Sequence, residues 1–113
     1  VAIDPGLNKA FVANSSSNNV YVLDGANTHR VVGVIPVQDT PQGLTVDPDH
    51  NLLYVTNTDA HSISIIQTRS QQIIATSPTQ EFPVVVAINS KKNILYVVHR
   101  DQPAIFVVQI VAE

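Results

Sequence analysis

The chain has 113 residues, 44% of them apolar and 13% charged, a balance well inside the range of folded globular domains and far from that of disordered ones. Six Lys+Arg against nine Asp+Glu leave a formal net charge of −3 with no basic run, which argues against a dedicated nucleic-acid binder. No cysteine is present, so disulfides, zinc knuckles and thiol nucleophiles are excluded within these residues.

No apolar run approaches the roughly 20 residues of a membrane-spanning helix, and no basic-then-apolar leader opens the chain. With Val1 first and no Met anywhere, the sequence reads as a processed product or an excerpt of a longer chain. Its polarity comes from Ser, Thr, Asn and Gln more than from charge. That composition points to an exported protein, at the cell surface, in the periplasm or fully extracellular.

Taken in order, the apolar residues fall in short Val- and Ile-rich runs bounded by Asp, Asn, Pro, Gly or Ser, which is the pattern of strands rather than helices. Eleven strands are expected. The first four run from Val1 to Asp4, Ala10 to Asn14, Val20 to Asp24 and Val31 to Val37. Gly43 to Asp47, Leu52 to Asn57, Ser62 to Gln67 and Gln72 to Thr76 follow. Val84 to Asn89, Ile94 to His99 and Ala104 to Ile110 complete the set.

These strands are one unit written three times. Asp4, Asp47 and Asn89 recur at intervals of 43 and 42 residues, a period that means a propeller or solenoid. The predicted division is blade one at 1–41, blade two at 42–83 and an incomplete blade three at 84–113, with strands a to d in each blade, innermost first, and no d in the last. Asp4-Pro5-Gly6-Leu7-Asn8 and Asp47-Pro48-Asp49-His50-Asn51 are a–b hairpin turns, Pro fixing φ and Asp bonding its own backbone. Asn89-Ser90-Lys91-Lys92-Asn93 keeps the Asn and Ser but drops the Pro. Pro41 and Pro83, 42 apart, mark the passages between blades. Runs such as Leu52-Leu53-Tyr54-Val55 are apolar on consecutive positions, as in a sheet covered on both faces. Four-stranded antiparallel sheets packed face to face around an axis satisfy this, so the fold class is all-β, a partial β-propeller of about two and three-quarter blades.

Tyr54-Val55-Thr56-Asn57, framed by Pro41-x-Gly43-Leu44-x-Val46-Asp47-Pro48 and followed by Ser62-Ile63-Ser64-Ile65-Ile66, resembles the YVTN-type β-propeller repeat family. The first copy departs from it as Phe11-Val12-Ala13-Asn14 and the third as Tyr96-Val97-Val98-His99. The resemblance implies surface-layer or other exported proteins, usually of seven blades.

Propellers close with about four to eight blades, so the two terminal blades each leave an apolar face open. Covering a face of about 600 Å² contributes on the order of 15 kcal/mol at about 25 cal/mol per Å², comparable with a domain's whole net stability of roughly 5–15 kcal/mol. Remaining blades of a longer chain are the preferred cover, and further copies of this one the second.

A ligand surface is expected on the face of the b–c and d–a loops, around the channel mouth. It carries Asn14 to Asn19, Thr58 to His61, Arg100 to Pro103, Asp39 and Glu81. The candidates are Asn14, Asn57 and His99 at one equivalent strand end, with His61, Arg100 and Asp101. Against a ligand role stands a plain one, in which the Asn side chains cap the loops by bonding backbone amides. No metal site is expected, since His29 and His50 fall on the opposite face from His61 and His99. No catalytic motif and no cofactor motif is present. The leading reading is a non-catalytic binding or structural module that displays loops to a protein or cell-surface partner. The resemblance leaves open a lactonase-like enzyme or a quinone- or haem-associated protein. Single-stranded DNA binding is disfavoured by the lack of a basic groove and of aromatics for stacking.

Overall fold

The computed structural model of the chain describes residues 1–26, 30–101 and 105–109. The turn holding His29, the loop residues Gln102 and Pro103, Ala104 at the start of the last expected strand, and Ile110 at its end lie outside the described residues. Among the described residues the structure is all-β, apart from one 3₁₀ turn at Thr58–Ala60. Three antiparallel sheets follow one another along the chain. The first holds β1 (Ala2–Asp4), β2 (Lys9–Asn14), β3 (Asn19–Asp24) and β4 (Val31–Pro36), side by side in that order. The second repeats it with β5 (Pro41–Asp47), β6 (Leu52–Asn57), β7 (Ser62–Gln67) and β8 (Gln72–Pro78). β9 (Pro83–Asn89), β10 (Ile94–His99) and β11 (Ile105–Gln109) form the third. The eleven expected strands are present, and β6, β7 and β10 begin and end where the sequence pattern puts them.

The turns repeat as closely as the strands. Asn8, Asn51 and Asn93 adopt left-handed φ of 53°, 56° and 53° where each inner hairpin re-enters its second strand. Asn tolerates that region better than most side chains. Asp4 Oδ1 accepts the amides of Gly6 and Leu7 at 3.0 and 3.2 Å, an Asx turn, and Asn89 Oδ1 accepts that of Lys92 at 3.4 Å.

Packing follows from which side chains look forward to the next sheet and which look back. Phe11, Val20 and Val22 look forward from the first sheet onto Leu44, Val46, Leu53 and Val55 of the second. One repeat later, Tyr54, Ile63 and Ile65 look forward from the second sheet onto Val86, Ile88, Leu95 and Val97 of the third. Neighbouring residues of β6 thus belong to different cores, and Leu53 to Asn57 are all buried. In β10, whose sheet is covered on one side, burial alternates along the strand. By the same offsets, Tyr96, Ile105 and Val107 belong to the forward side of the third sheet and Val1 and Ile3 to the backward side of the first, where no further sheet lies among the described residues; all five are exposed. Among the described residues, twelve of the fourteen exposed large apolar side chains lie in or next to the two outer sheets and none in β5, β6 or β7, so exposure tracks missing neighbours.

The inner strands come close enough for backbone to touch side chain. The Gly43 amide donates to Thr56 Oγ1 at 2.7 Å, and that hydroxyl donates to the Val84 carbonyl at 3.0 Å, tying β5 and β6 to β9. A Cβ at position 43 would run into the Val84 carbonyl oxygen. Gly43→Ala should therefore destabilise the fold by about 1–3 kcal/mol through overpacking, read as a lower urea midpoint. Gly6→Ala, whose Cβ has room, should leave the midpoint unchanged.

Candidate functional site: the loop face and the cleft between the second and third sheets

The loop face is built by the linkers that carry the chain from one sheet to the next, and each linker is held twice. Thr40 and Phe82, 42 residues apart, sit at left-handed φ of 59° and 54°. On one side the Thr40 amide donates to Asn18 Oδ1 at 2.9 Å, and the Phe82 amide donates to His61 Nδ1 at 3.0 Å. On the other side the Thr40 carbonyl accepts the Thr58 amide at 2.9 Å, and the Phe82 carbonyl accepts the Arg100 amide at 2.8 Å. The linker is a clasp between the b–c loops of two successive sheets. Asn18 and His61, themselves left-handed at φ 56° and 53°, fill one role with different chemistry. Because His61 Nδ1 accepts, its proton sits on Nε2 in the neutral ring.

Phe82 is gripped from both sides. The His61 ring meets it edge-on at 4.7 Å between centroids and 79° between planes. The Arg100 guanidinium lies 4.8 Å from its centroid, within cation–π range. At the preceding linker Thr40 Oγ1 donates to Asp59 Oδ2 at 2.6 Å. Asp101 is exposed at left-handed φ 62°; at the opposite end of the sheets His50 Nδ1 lies 2.7 Å from Asp47 Oδ2.

The row formed by Asn14, Asn57 and His99 behaves differently from a set of backbone caps. Asn14 Nδ2 donates to Asn19 Oδ1 at 2.8 Å. Asn57 is fully buried, and its Nδ2 donates to Ser62 Oγ at 3.2 Å and Ser64 Oγ at 2.9 Å, while Ser62 Oγ donates to Gln38 Oε1. No side-chain capping bond forms at Asn57. These amides join strand to strand by side chains, where sequence reasoning expects them on the backbone. Thr58, absent from the candidate set, donates its hydroxyl to the Pro83 carbonyl at 2.7 Å. With Thr56 it bridges consecutive sheets, and the only signal in the sequence is two threonines flanking an asparagine at the end of an apolar strand.

His99 is buried and lines a cleft of about 510 Å³ between the second and third sheets. Tyr54, Ile63, Leu95 and Val97 form the apolar part of its wall, and the end of β8 with Thr79 and Gln80 forms a polar rim. Burial pushes the His99 pKa below its ordinary value, favouring the neutral imidazole. Burial, and then the Asp47 carboxylate, push the Tyr54 hydroxyl up to about 12. The cleft therefore offers apolar walls, the neutral His99 imidazole and a polar rim, suited to a largely apolar small molecule. Among the described residues no group of three or more His, Cys, Asp or Glu is placed to hold a metal ion. The structure thus brings His61 and Arg100 together around Phe82, sets His99 in the cleft behind them, and leaves Asn14 on the first sheet.

No family model matches the sequence, and no curated protein matches it. Solved structures do. Kuenenia stuttgartiensis hydrazine synthase is similar at 26% identity and a TM-score of 0.87, over 96% of this chain and 31% of that one. The dihydro-heme d1 dehydrogenase NirN, solved in complex with DHE, is similar at 18% identity and a TM-score of 0.76, over 95% of this chain and 22% of that one. A functionally unknown protein from Desulfotomaculum acetoxidans is similar at 21% identity and a TM-score of 0.72, over 86% of this chain and 33% of that one. This chain spans about a third or less of each, and the likeness establishes the β-propeller fold.

Two outcomes follow from this geometry. His61→Asn should keep the bond to the Phe82 amide and the left-handed backbone, whereas His61→Ala should lose about 1–2 kcal/mol in urea unfolding. Tyr54 holds its proton more tightly folded than unfolded, so stability present below pH 10 should fall as pH rises from about 10 toward 12. Tyr54→Phe should flatten that fall in urea midpoints measured at pH 9 and 11.

Proposed function

We propose that the chain is a non-catalytic binding and structural module, a stretch of YVTN-type propeller exposed outside the cytoplasm that presents its loop face to a protein or cell-surface partner. The observation that carries this reading is the use made of the loop-face polar groups. His61, Asn57, Thr56 and Thr58, the residues an active site would recruit from this face, each hold backbone or side chains within or between sheets. The charged groups of this face, Asp39, Asp59, Glu81, Arg100 and Asp101, are all exposed. Such groups recognise a partner by charge complementarity.

A second reading has a specific observation in its favour. The likeness to hydrazine synthase covers nearly the whole of this chain, another similar structure is a dehydrogenase solved in complex with DHE, and the cleft beside His99 joins apolar walls to a polar rim. On that reading His99 and Tyr54 would contact a haem-like group, and the chain would be part of an enzyme or redox-associated protein.

Haemin titration followed by absorption separates the two. The binding-module reading expects no saturable spectral shift, and expects association with the envelope fraction of the source cells to fall several-fold in an Asp59→Ala, Arg100→Ala, Asp101→Ala variant. A stoichiometric haemin shift removed by His99→Ala would replace that reading with the second.

A further inference from the structure

The two joints between sheets are built from matching positions and are closed differently. In the first, Ile35 of β4 belongs to the core with Phe11, Val20 and Val22, and Val37 packs against it. Strand register identifies the counterparts of these two residues in the second joint. Val20 pairs with Ile35 as Ile63 pairs with Ser77. The Val37 amide donates to the Asn18 carbonyl as the Thr79 amide donates to the His61 carbonyl. Ser77 and Thr79 therefore stand where the first joint has Ile35 and Val37. Leu53 pairs with Ile66 and Leu95 with Val108, so the shorter Val108 stands in the place of Ile66. All three replacements line the cleft of about 510 Å³. β8 is exposed along all seven residues and gives no side chain to the first core, so what closes that joint on its outer side is the fourth strand of the sheet before it. In the second joint that strand is β8 itself, and the cleft follows from its Ser77 and Thr79 rather than from anything beyond β11.

We propose that the cleft between the second and third sheets is a binding site for an uncharged, largely apolar small molecule with a single hydrogen-bonding group. Its apolar body lies on Tyr54, Ile63, Leu95 and Val97, in the space that Ile35 and Val37 fill one repeat earlier. Its polar end meets β8, where the Ser77 hydroxyl can donate or accept, and where Thr79 Oγ1, which donates to the Gln80 carbonyl at 2.7 Å, keeps its lone pairs for a donor. None of the described residues that line the cleft is an acid, a lysine or an arginine, so a charged ligand would give up its hydration without a partner. The volume falls within the roughly 300–1,000 Å³ of small-molecule pockets. This site is separate from both readings above: it requires neither a partner on the loop face nor ligation by His99.

The test is titration of the protein, at its natural length, with phenylnaphthylamine, an uncharged aromatic amine, followed by methyl NMR. Saturable shifts are expected in the signals of Ile63, Leu95 and Val97 and not in those of Leu53 and Val55, which belong to the first joint. Ser77→Ile restores the side chain that closes the first joint, and should weaken the binding read at these three residues by about tenfold or more, with an unchanged circular dichroism spectrum. Thr79→Val should weaken it in the same direction. Thr76→Ile adds the same side chain at the neighbouring position of β8, outside the cleft, and should bind as the unaltered protein does. Anilinonaphthalene sulfonate, the same ring system carrying a charge, should bind about tenfold more weakly than the uncharged amine. Saturation without shifts at Ile63, Leu95 and Val97, undiminished affinity in a folded Ser77→Ile protein, or equal affinity for the sulfonate would overturn the proposal.

Discussion

Everything in this molecule depends on sheets hiding apolar faces against one another at a constant offset. A four-stranded sheet of six-residue strands has no interior of its own; each residue lies on one face or the other, and a face is buried only when another sheet lies on it. The second sheet has neighbours on both sides, and its β6 is buried along nearly its whole length. The third has one, and burial in β10 alternates. The same sequence pattern thus produces two burial patterns, and the difference is the presence or absence of a neighbour. At about 25 cal/mol per Å² of apolar surface, face-to-face burial outweighs any single polar contact in the structure.

The polar groups then determine how closely the sheets approach rather than whether they do. Thr56 joins residues 28 positions apart, and Thr58 residues 25 apart, in each case reaching the first two residues of the next sheet's inner strand. Gly43 is required where that approach is tightest, because a side chain there would meet the Val84 carbonyl. At the loop face the linker clasps complete the joint, with left-handed backbone at Asn18, Thr40, His61 and Phe82. Left-handed conformations at Thr and Phe are costly and persist only where surrounding bonds hold them, as the paired amide and carbonyl bonds of Thr40 and Phe82 do.

Much of the fold was legible because a period reports equivalence. Once Asp4, Asp47 and Asn89 were aligned, the eleven strands, the turns and the open terminal faces followed. The candidate site was legible only in outline, because equivalence does not say what a side chain touches. His61 looked like a loop histidine available to a ligand; its alignment with Asn18, 43 residues earlier, already placed it in a position that the linker amide occupies. Asn57 looked like a backbone cap, whereas Ser62 and Ser64, themselves part of the recognisable repeat, take both of its amide donor bonds. The cleft beside His99 had no signature at all, since its walls come from residues as distant in sequence as Ile63 and Val97.

The central claim, that adjacent residues of β6 belong to opposite cores, is tested most directly by double-mutant cycles. Tyr54→Ala with Leu95→Ala should show a coupling of about 0.5–3 kcal/mol, as should Val55→Ala with Phe11→Ala, since each pair shares a core. The crossed pairs, Tyr54 with Phe11 and Val55 with Leu95, should be additive to within about 0.5 kcal/mol. Strong coupling in the crossed pairs, or none in the direct ones, would contradict the arrangement of sheets described above.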